Sequence, residues 1–118
     1  SNNRKPLVTI DAILEYLRKK VETKAVIAPS IWMDACVKLI VLVPQEQDKL
    51  FDLQKQVSVI KMNCMAEGST AASAKVTAEA SDVYWTMKKQ EAKVENIYEL
   101  IRISKLQSKI RAAELGVQ

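Results

Sequence analysis

The stretch CVKLIVLVPQEQDKLFDLQKQVSVIKMNC, residues 36–64, decides the fold, because it has the pattern of a helix but carries Pro44 within it. Inward-facing positions recur at alternating spacings of four and three residues, with the same phase before and after the proline. Those positions are Trp32, Cys36, Leu39, Val43, Glu46, Leu50, Leu53, Val57, Ile60 and Cys64. Two separate helices would have no reason to keep this phase, so the pattern predicts one helix over about 31–66, bent at Pro44. The alternative is a break, with Pro44 at the first position of a new helix.

The residues before this helix predict a shorter amphipathic helix over about 9–24. Thr9 has the position and the side chain of an N-cap, and Asp11 lies in the first turn, where the helix dipole favours an acid. The dipeptide Ala28–Pro29 ends the segment, because a residue before proline is disfavoured in the helical conformation. Ser30 is then expected to cap the long helix. The apolar face of the short helix consists of Ile10, Ile13, Leu14, Leu17 and Val21.

The long helix is expected to end in the sequence EGST, residues 67–70, where Gly68 supplies a left-handed conformation and Ser69 or Thr70 caps the next helix. The residues that follow predict a second long helix over about 70–114. Its inward stripe is Val76, Val83, Met87, Val94, Ile97 and Ile101. A second apolar stripe begins at residue 100 and predicts contact with another surface, either the short helix, a neighbouring subunit or both. This predicted oligomer interface consists of Leu100, Ile103, Leu106 and Ile110.

Together these elements predict an all-α protein. The expected fold is a long antiparallel helical hairpin of the coiled-coil kind with a short N-terminal helix, forming a single domain over residues 1–118. The composition agrees, because only 2 glycines and 3 prolines in a chain that is 48% apolar indicate few turns and long helices. A two-helix arm of this length leaves much apolar surface uncovered, so we expect a homo-oligomer.

The net charge of +4 is concentrated at the two ends of the sequence, residues 1–43 and 100–118. An antiparallel hairpin with its turn near residue 68 would bring residues 102–111 beside residues 25–34, so the two basic segments would meet. Such a surface suits the phosphate backbone of nucleic acid. The candidate nucleic-acid-binding residues are Arg18, Lys19, Lys20, Lys24, Arg102, Lys105, Lys109 and Arg111. The alternative is that these cations form an ordinary solvated helix surface.

The residue inventory contains no recognisable catalytic or metal site. The chain has no histidine, which is the commonest general base and metal ligand, and its 2 cysteines alone do not make a zinc site. No glycine-rich phosphate loop occurs, so we predict a non-enzyme without cofactor or metal. The best candidate for a membrane segment, LIVLV at 39–43, is too short to span a bilayer. The N-terminus has no apolar signal core, so a cytoplasmic location without membrane contact is expected.

The segment over about 66–111 resembles small helical-hairpin proteins encoded by tailed bacteriophages. The likeness rests on the acidic-glycine turn and on the sequences AKVTAEAS, MKKQEAKVENI and IRISKLQ, residues 74–81, 87–97 and 101–107. The general layout is similar to that of T4-type phage recombination mediators. Those are small oligomeric helical proteins that bind single-stranded DNA and help to load a recombinase. The resemblance therefore implies this function, and a location in the cytoplasm of the host cell.

Two functions from different classes remain open at this point. The first is an oligomeric accessory protein of recombination or replication that binds single-stranded DNA, with a recombinase or replication protein as a further partner. The second is a structural or adaptor coiled coil whose partner is another protein. A ring component of DNA packaging, similar to a small terminase subunit, lies between them.

Overall fold

The computed structural model describes residues 9–23, 27–114 and 116, without the side chains at 21, 108, 111 and 112. Within these residues the chain forms four α-helices and no strand. They are α1 (Ile10–Glu22), α2 (Pro29–Ala66), α3 (Ala71–Glu79) and α4 (Asp82–Glu114). The prediction of an all-α protein is therefore confirmed.

The first helix begins at the cap that the sequence predicts. The backbone N–H of Ala12 donates to Thr9 Oγ1 at 3.1 Å, and the N–H of Ile13 donates to the Thr9 carbonyl at 3.1 Å. The Thr9 hydroxyl thus satisfies one of the four N–H groups that a helix start leaves unpaired, and the Thr9 carbonyl accepts the first hydrogen bond of the helix. The helix ends at Glu22, and Lys24, at the end of the predicted span, lies outside the described residues.

Helix α2 runs without interruption from Pro29 to Ala66 and contains Pro44 in its interior. Its start differs from the prediction, because Ser30 lies inside the helix and is not its N-cap. The N–H of Trp32 donates to the Ala28 carbonyl at 3.2 Å, which makes Ala28 the capping position. Proline is favoured at the first helical position, where its ring presets the backbone angle and its missing N–H removes no hydrogen bond.

The phase of α2 is the same on both sides of Pro44. All ten inward positions from Trp32 to Cys64 are buried or half-buried, with Leu39 fully buried before the proline and Val57 buried after it. Pro44 itself is exposed, so its ring displaces none of the packed side chains. The bend at this residue stays a prediction.

Helix α2 ends in a Schellman motif built on Gly68. The N–H of Gly68 donates to the Met65 carbonyl at 3.0 Å, and the N–H of Ser69 donates to the Cys64 carbonyl at 3.0 Å. Gly68 has a φ of +103°, which residues with a side chain rarely adopt, so the predicted role of this glycine is confirmed. Thr70 then caps α3, because its hydroxyl accepts from the N–H of Ser73 at 3.2 Å.

The predicted single helix over 70–114 is wrong, because the chain forms two helices with a break at Ala80–Ser81. The Ser81 hydroxyl explains the break: it donates to the Ala78 carbonyl at 2.6 Å and accepts from the N–H of Tyr84 at 3.3 Å, which ends α3 and caps α4. The break also changes the phase. Val76, predicted to face inward, is 69% exposed, while Ala74 and Ala78 are fully buried.

The chain forms two compact units. Unit 1 contains α1, α2 up to Pro44 and α4 from Asn96, and unit 2 contains residues 45–95. The core of unit 1 is Ile10, Ile13, Leu17, Ile27, Trp32, Ala35, Cys36, Leu39, Val43, Ile97 and Ile101. The core of unit 2 is smaller and consists of Leu50, Val57, Ala78, Met87 and Val94.

Candidate interaction surfaces

The cations of α1 that the sequence assigns to nucleic acid are largely paired with acids on the same helix. Arg18 binds Glu15 at 2.6 Å and Glu22 at 2.5 Å, and Lys19 Nζ lies 3.9 Å from Glu15. The hydrogen bond from Arg18 lowers the pKa of Glu15, and the two carboxylates raise the pKa of Arg18. Lys20 Nζ lies 5.5 Å from the centre of the Tyr16 ring, close enough for a cation–π contact.

The cations of α4 divide into a paired and an unpaired group. Arg102 binds Glu99, and this hydrogen bond lowers the pKa of Glu99 and raises the pKa of Arg102. Lys105 and Lys109 are exposed and make no ion pair with any residue that the structure describes. The side chain of Arg111 lies outside the described part of the chain.

The two basic helices, α1 and α4, border a common groove in unit 1. It has a volume of about 420 Å³ and lies between α1 and α4. Its apolar lining comes from Leu14, Leu17 and Leu100, and its polar lining comes from Arg18, Glu22, Asn96 and Glu99. The α1 and α4 segments therefore meet in the same unit, but acids accompany the cations at their contact. The region offers mixed charge where the sequence predicts a continuous positive surface.

The four residues of the predicted oligomer interface behave as two pairs. Leu100 and Ile103 are half-buried and pack against the core of unit 1, so they already have partners within the chain. Leu106 and Ile110 are exposed. The second apolar stripe of α4 thus has an intramolecular contact at its start and exposed side chains further along. Assembly through these residues stays a prediction.

Helix α2 presents a second apolar face that the sequence reasoning missed. Met33, Val37, Ile40 and Val41 are 47, 54, 43 and 67% exposed, and we call these four residues the outward α2 face. Their spacing of i, i+4, i+7 and i+8 places them on one side of the helix, roughly 115° around its axis from the inward seam. The run LIVLV at 39–43 carried the signal, because five consecutive apolar residues cannot all face the same side of a helix.

An ion pair borders the outward α2 face on one flank. Asp34 Oδ2 lies 2.8 Å from Lys38 Nζ, one helical turn away. None of the four residues of the face is charged. The face is therefore a short apolar strip beside a neutralised pair.

A buried carboxylate lies in unit 2, just after Pro44. Glu46 is 4% exposed, and Gln90 Nε2 donates to both its Oε1 and its backbone carbonyl at 2.9 Å. Lys93 Nζ lies 3.1 Å from Oε1, and Lys49 Nζ lies 3.3 Å from Oε2. Burial alone raises the pKa of Glu46, but the hydrogen bonds from these three side chains outweigh it and hold the pKa below its ordinary value.

We expect Glu46→Gln to destabilise the protein by about 1–3 kcal/mol at pH 7, since it removes a charge with two ammonium partners. The pKa of Glu46 is lower in the folded state, so its contribution is complete above the pKa of the unfolded chain and disappears as the pH falls through the folded value. Urea unfolding from pH 7 to pH 3 measures this. The matched variant Glu99→Gln, at an exposed pair, should change stability much less than Glu46→Gln does. If Glu46→Gln lowered stability equally at every pH, the Glu46 carboxylate would not stabilise the fold through its charge.

Comparisons with protein-family models, with curated proteins and with solved structures give no match to this chain. Two properties of the described residues can be added. No helix among them is both long and apolar enough to cross a membrane. No three or more of their cysteines and acidic side chains are grouped so that they could hold a metal ion.

Proposed function

We propose that this chain is a non-enzymatic helical protein of the structural or adaptor kind, acting in the cytoplasm by binding another polypeptide through the outward α2 face. The observation that carries the proposal is the exposure of four large apolar side chains on one side of a helix whose other side is already packed. Single exposed apolar residues are normal on protein surfaces, whereas a contiguous strip marks a site of contact.

Energetics favour covering this face. Full burial of a valine, isoleucine or methionine side chain stabilises by about 1.5–3 kcal/mol. Because each of the four side chains is roughly half exposed, covering them would contribute about 1 kcal/mol per residue. The cationic surfaces would contribute less binding free energy, since Arg18 and Arg102 already have carboxylate partners.

The proposal includes the antiparallel pairing of α2 with α4 that the hairpin prediction requires. Two contacts support it, each within one unit. In unit 1 the Cys36 thiol lies 4.0 Å from the Ile101 carbonyl, and in unit 2 Gln90 binds Glu46. Both contacts join positions that a turn near residue 68 would place opposite each other.

A photo-crosslinking amino acid at Val37 tests whether this face binds a polypeptide in cells that make the protein. We expect a covalent adduct of discrete mass, because the side chain would lie in a contact. The same amino acid at Gln54, an exposed position of α2 in unit 2, is the matched control and should give no such adduct. Absence of an adduct at Val37, or equal adducts at both positions, would remove the proposal.

A charge on this face should leave the fold intact, because none of its four residues belongs to the hydrophobic cores of the described part of the chain. In dilute solution we expect Val37→Glu to keep its helicity and to unfold within a few degrees of the parent protein, as surface substitutions do. Leu39→Glu, two residues away and fully buried, should lose the fold. Circular dichroism during heating measures both. Unfolding of Val37→Glu in the same range as Leu39→Glu would show that the outward face belongs to the core.

Binding of single-stranded DNA, as in a phage accessory protein of recombination or replication, is the second candidate function. Lys105 and Lys109 favour it, because they are exposed one turn apart on α4 and have no acidic partner among the described residues. Lysines so placed contact phosphates without reading sequence. The pairing of Arg18 and Arg102 with acids argues for few phosphate contacts, and therefore for weak binding with a shallow salt dependence.

Fluorescence anisotropy with a labelled single-stranded oligonucleotide tests this second candidate. Replacing Lys105 and Lys109 by glutamine should reduce the slope of log K against log salt by about 1.4, because two phosphate contacts are lost. The matched control replaces Lys55 and Lys89, two exposed lysines of unit 2, and changes the net charge equally. Equal weakening in both variants would indicate a response to net charge alone, and absence of binding at low salt would rule out the DNA function.

A further inference from the structure

We propose that the outward α2 face binds a second copy of this chain, with the two α2 helices antiparallel and related by a two-fold axis near Val37. This inference rests on the function proposed above and names its partner. The shape of the face supports it first. With Val37 at the axis, Val37 would contact the partner's Val37. Met33 would contact the partner's Val41 and the partner's Ile40. An apolar strip centred on one residue is self-complementary under this operation.

Charge complementarity supports the antiparallel orientation. In a two-fold antiparallel pair of helices, each flank meets the same flank of the partner, in reversed order. Asp34 and Lys38 lie on one flank of the strip, on opposite sides of Val37. With the axis at Val37, the partner's Lys38 would lie two residues, about 3 Å along the helix, from the level of Asp34, so each lysine side chain could reach the partner's carboxylate. The ion pair within one chain would become a network of four charges.

The same arrangement would place a hydrogen-bond donor, the partner's Ser30, near an unpaired backbone carbonyl on the face, that of Ile40. Pro44 has no N–H, so the carbonyl of Ile40 lacks its usual partner in the helix. Burying an unpaired carbonyl is costly, so an occupant of this face needs a hydrogen-bond donor near Ile40. The antiparallel register brings the partner's Ser30 opposite Pro44. Ser30 is exposed, and its hydroxyl has no partner among the described residues.

Sedimentation equilibrium of the purified chain tests the inference. We expect twice the chain mass at micromolar concentrations. Val37→Glu should weaken association by more than about 100-fold, since it would place two carboxylates at the axis. Phe51→Glu, at a 55% exposed position of α2 in unit 2, is the matched control and should leave the mass unchanged. Salt should change the dimer little, because screening weakens the network of four charges but also weakens the repulsion between two copies that each carry a net charge of +4.

A charge exchange tests the orientation. Asp34→Lys should weaken the dimer by about 10-fold, because it would place like charges opposite each other, and adding Lys38→Asp should restore most of the loss. Val37→Cys should form a disulfide with its own copy on oxidation, whereas the buried native Cys36 should not. Failure of the double variant to recover, or failure of Val37→Cys to crosslink, would overturn the antiparallel arrangement.

The two proposals can fail separately. A monomer at about 100 µM, or a dimer unaffected by Val37→Glu, would overturn the second-copy inference. A crosslinked adduct at Val37 with a mass other than twice the chain would leave the face as a docking surface for a different protein. Absence of any adduct would remove both.

Discussion

Replacing Pro44 by alanine should raise the free energy of unfolding by about 2 kcal/mol. A proline inside a helix costs about 3 kcal/mol relative to alanine, because it lacks an N–H and its ring crowds the carbonyl four residues earlier. Up to about 1 kcal/mol of this gain is lost, because alanine gives the unfolded chain more conformations. Pro44 is exposed and belongs to neither hydrophobic core, so its replacement removes little packing. Chemical unfolding of the two proteins measures the difference.

Pro29→Ala is the matched control for this result. Pro29 occupies the first position of α2, where proline is favoured, so its replacement should lower stability by about 0.4–1 kcal/mol. The two substitutions are chemically identical and lie in the same helix, yet they should change stability in opposite directions. If Pro44→Ala lowered stability as Pro29→Ala does, Pro44 would be the start of a helix.

Ile97→Ala should destabilise the protein by about 2–5 kcal/mol. Ile97 is fully buried in the core of unit 1, and truncation removes apolar contacts and leaves a cavity. Thermal or urea unfolding measures the loss.

Ile110→Ala supplies the comparison within the same helix, since Ile110 is 42% exposed. We expect it to change stability by less than about 1 kcal/mol in dilute solution. A loss at Ile110 that matches the loss at Ile97 and grows with protein concentration would instead support assembly through the α4 stripe predicted from the sequence.

The sequence predicts α2 well because one physical constraint determines it. Side chains that pack on one side of a helix must recur with the helical period, and the alternation of four and three residues continues past Pro44. The end of α2 is equally readable, because few residues other than glycine adopt the φ of Gly68.

The break between α3 and α4 could not be read in the same way. Val76 lies in phase with the inward stripe of α4, so the apolar pattern alone continues through residue 80. A hydroxyl decides the break, since Ser81 caps α4 and ends α3. Serine is common both in turns and at exposed helix positions, so the residue type alone does not show whether Ser81 caps a helix or lies within one.

The candidate surfaces were only partly predictable for a related reason. The sequence shows that cations are present near residues 18 and 102, but their pairing depends on which acids lie one turn away and adopt the matching rotamers. The outward α2 face was visible as the run LIVLV, yet its exposure depends on which elements pack against α2. α1 and α4 pack against the inward seam, and this follows from tertiary structure.

The most direct test of the account is the pattern of ¹³Cα chemical shifts along α2. Continuity through Pro44 is the claim from which the inward seam, the outward face and the proposed dimer all follow. We expect helical ¹³Cα shifts without interruption from residue 31 to residue 65, including residues 41–47. Shifts that fall to random-coil values at 41–44 and become helical again after Pro44 would contradict the account, because two separate helices would then carry the two halves of the seam.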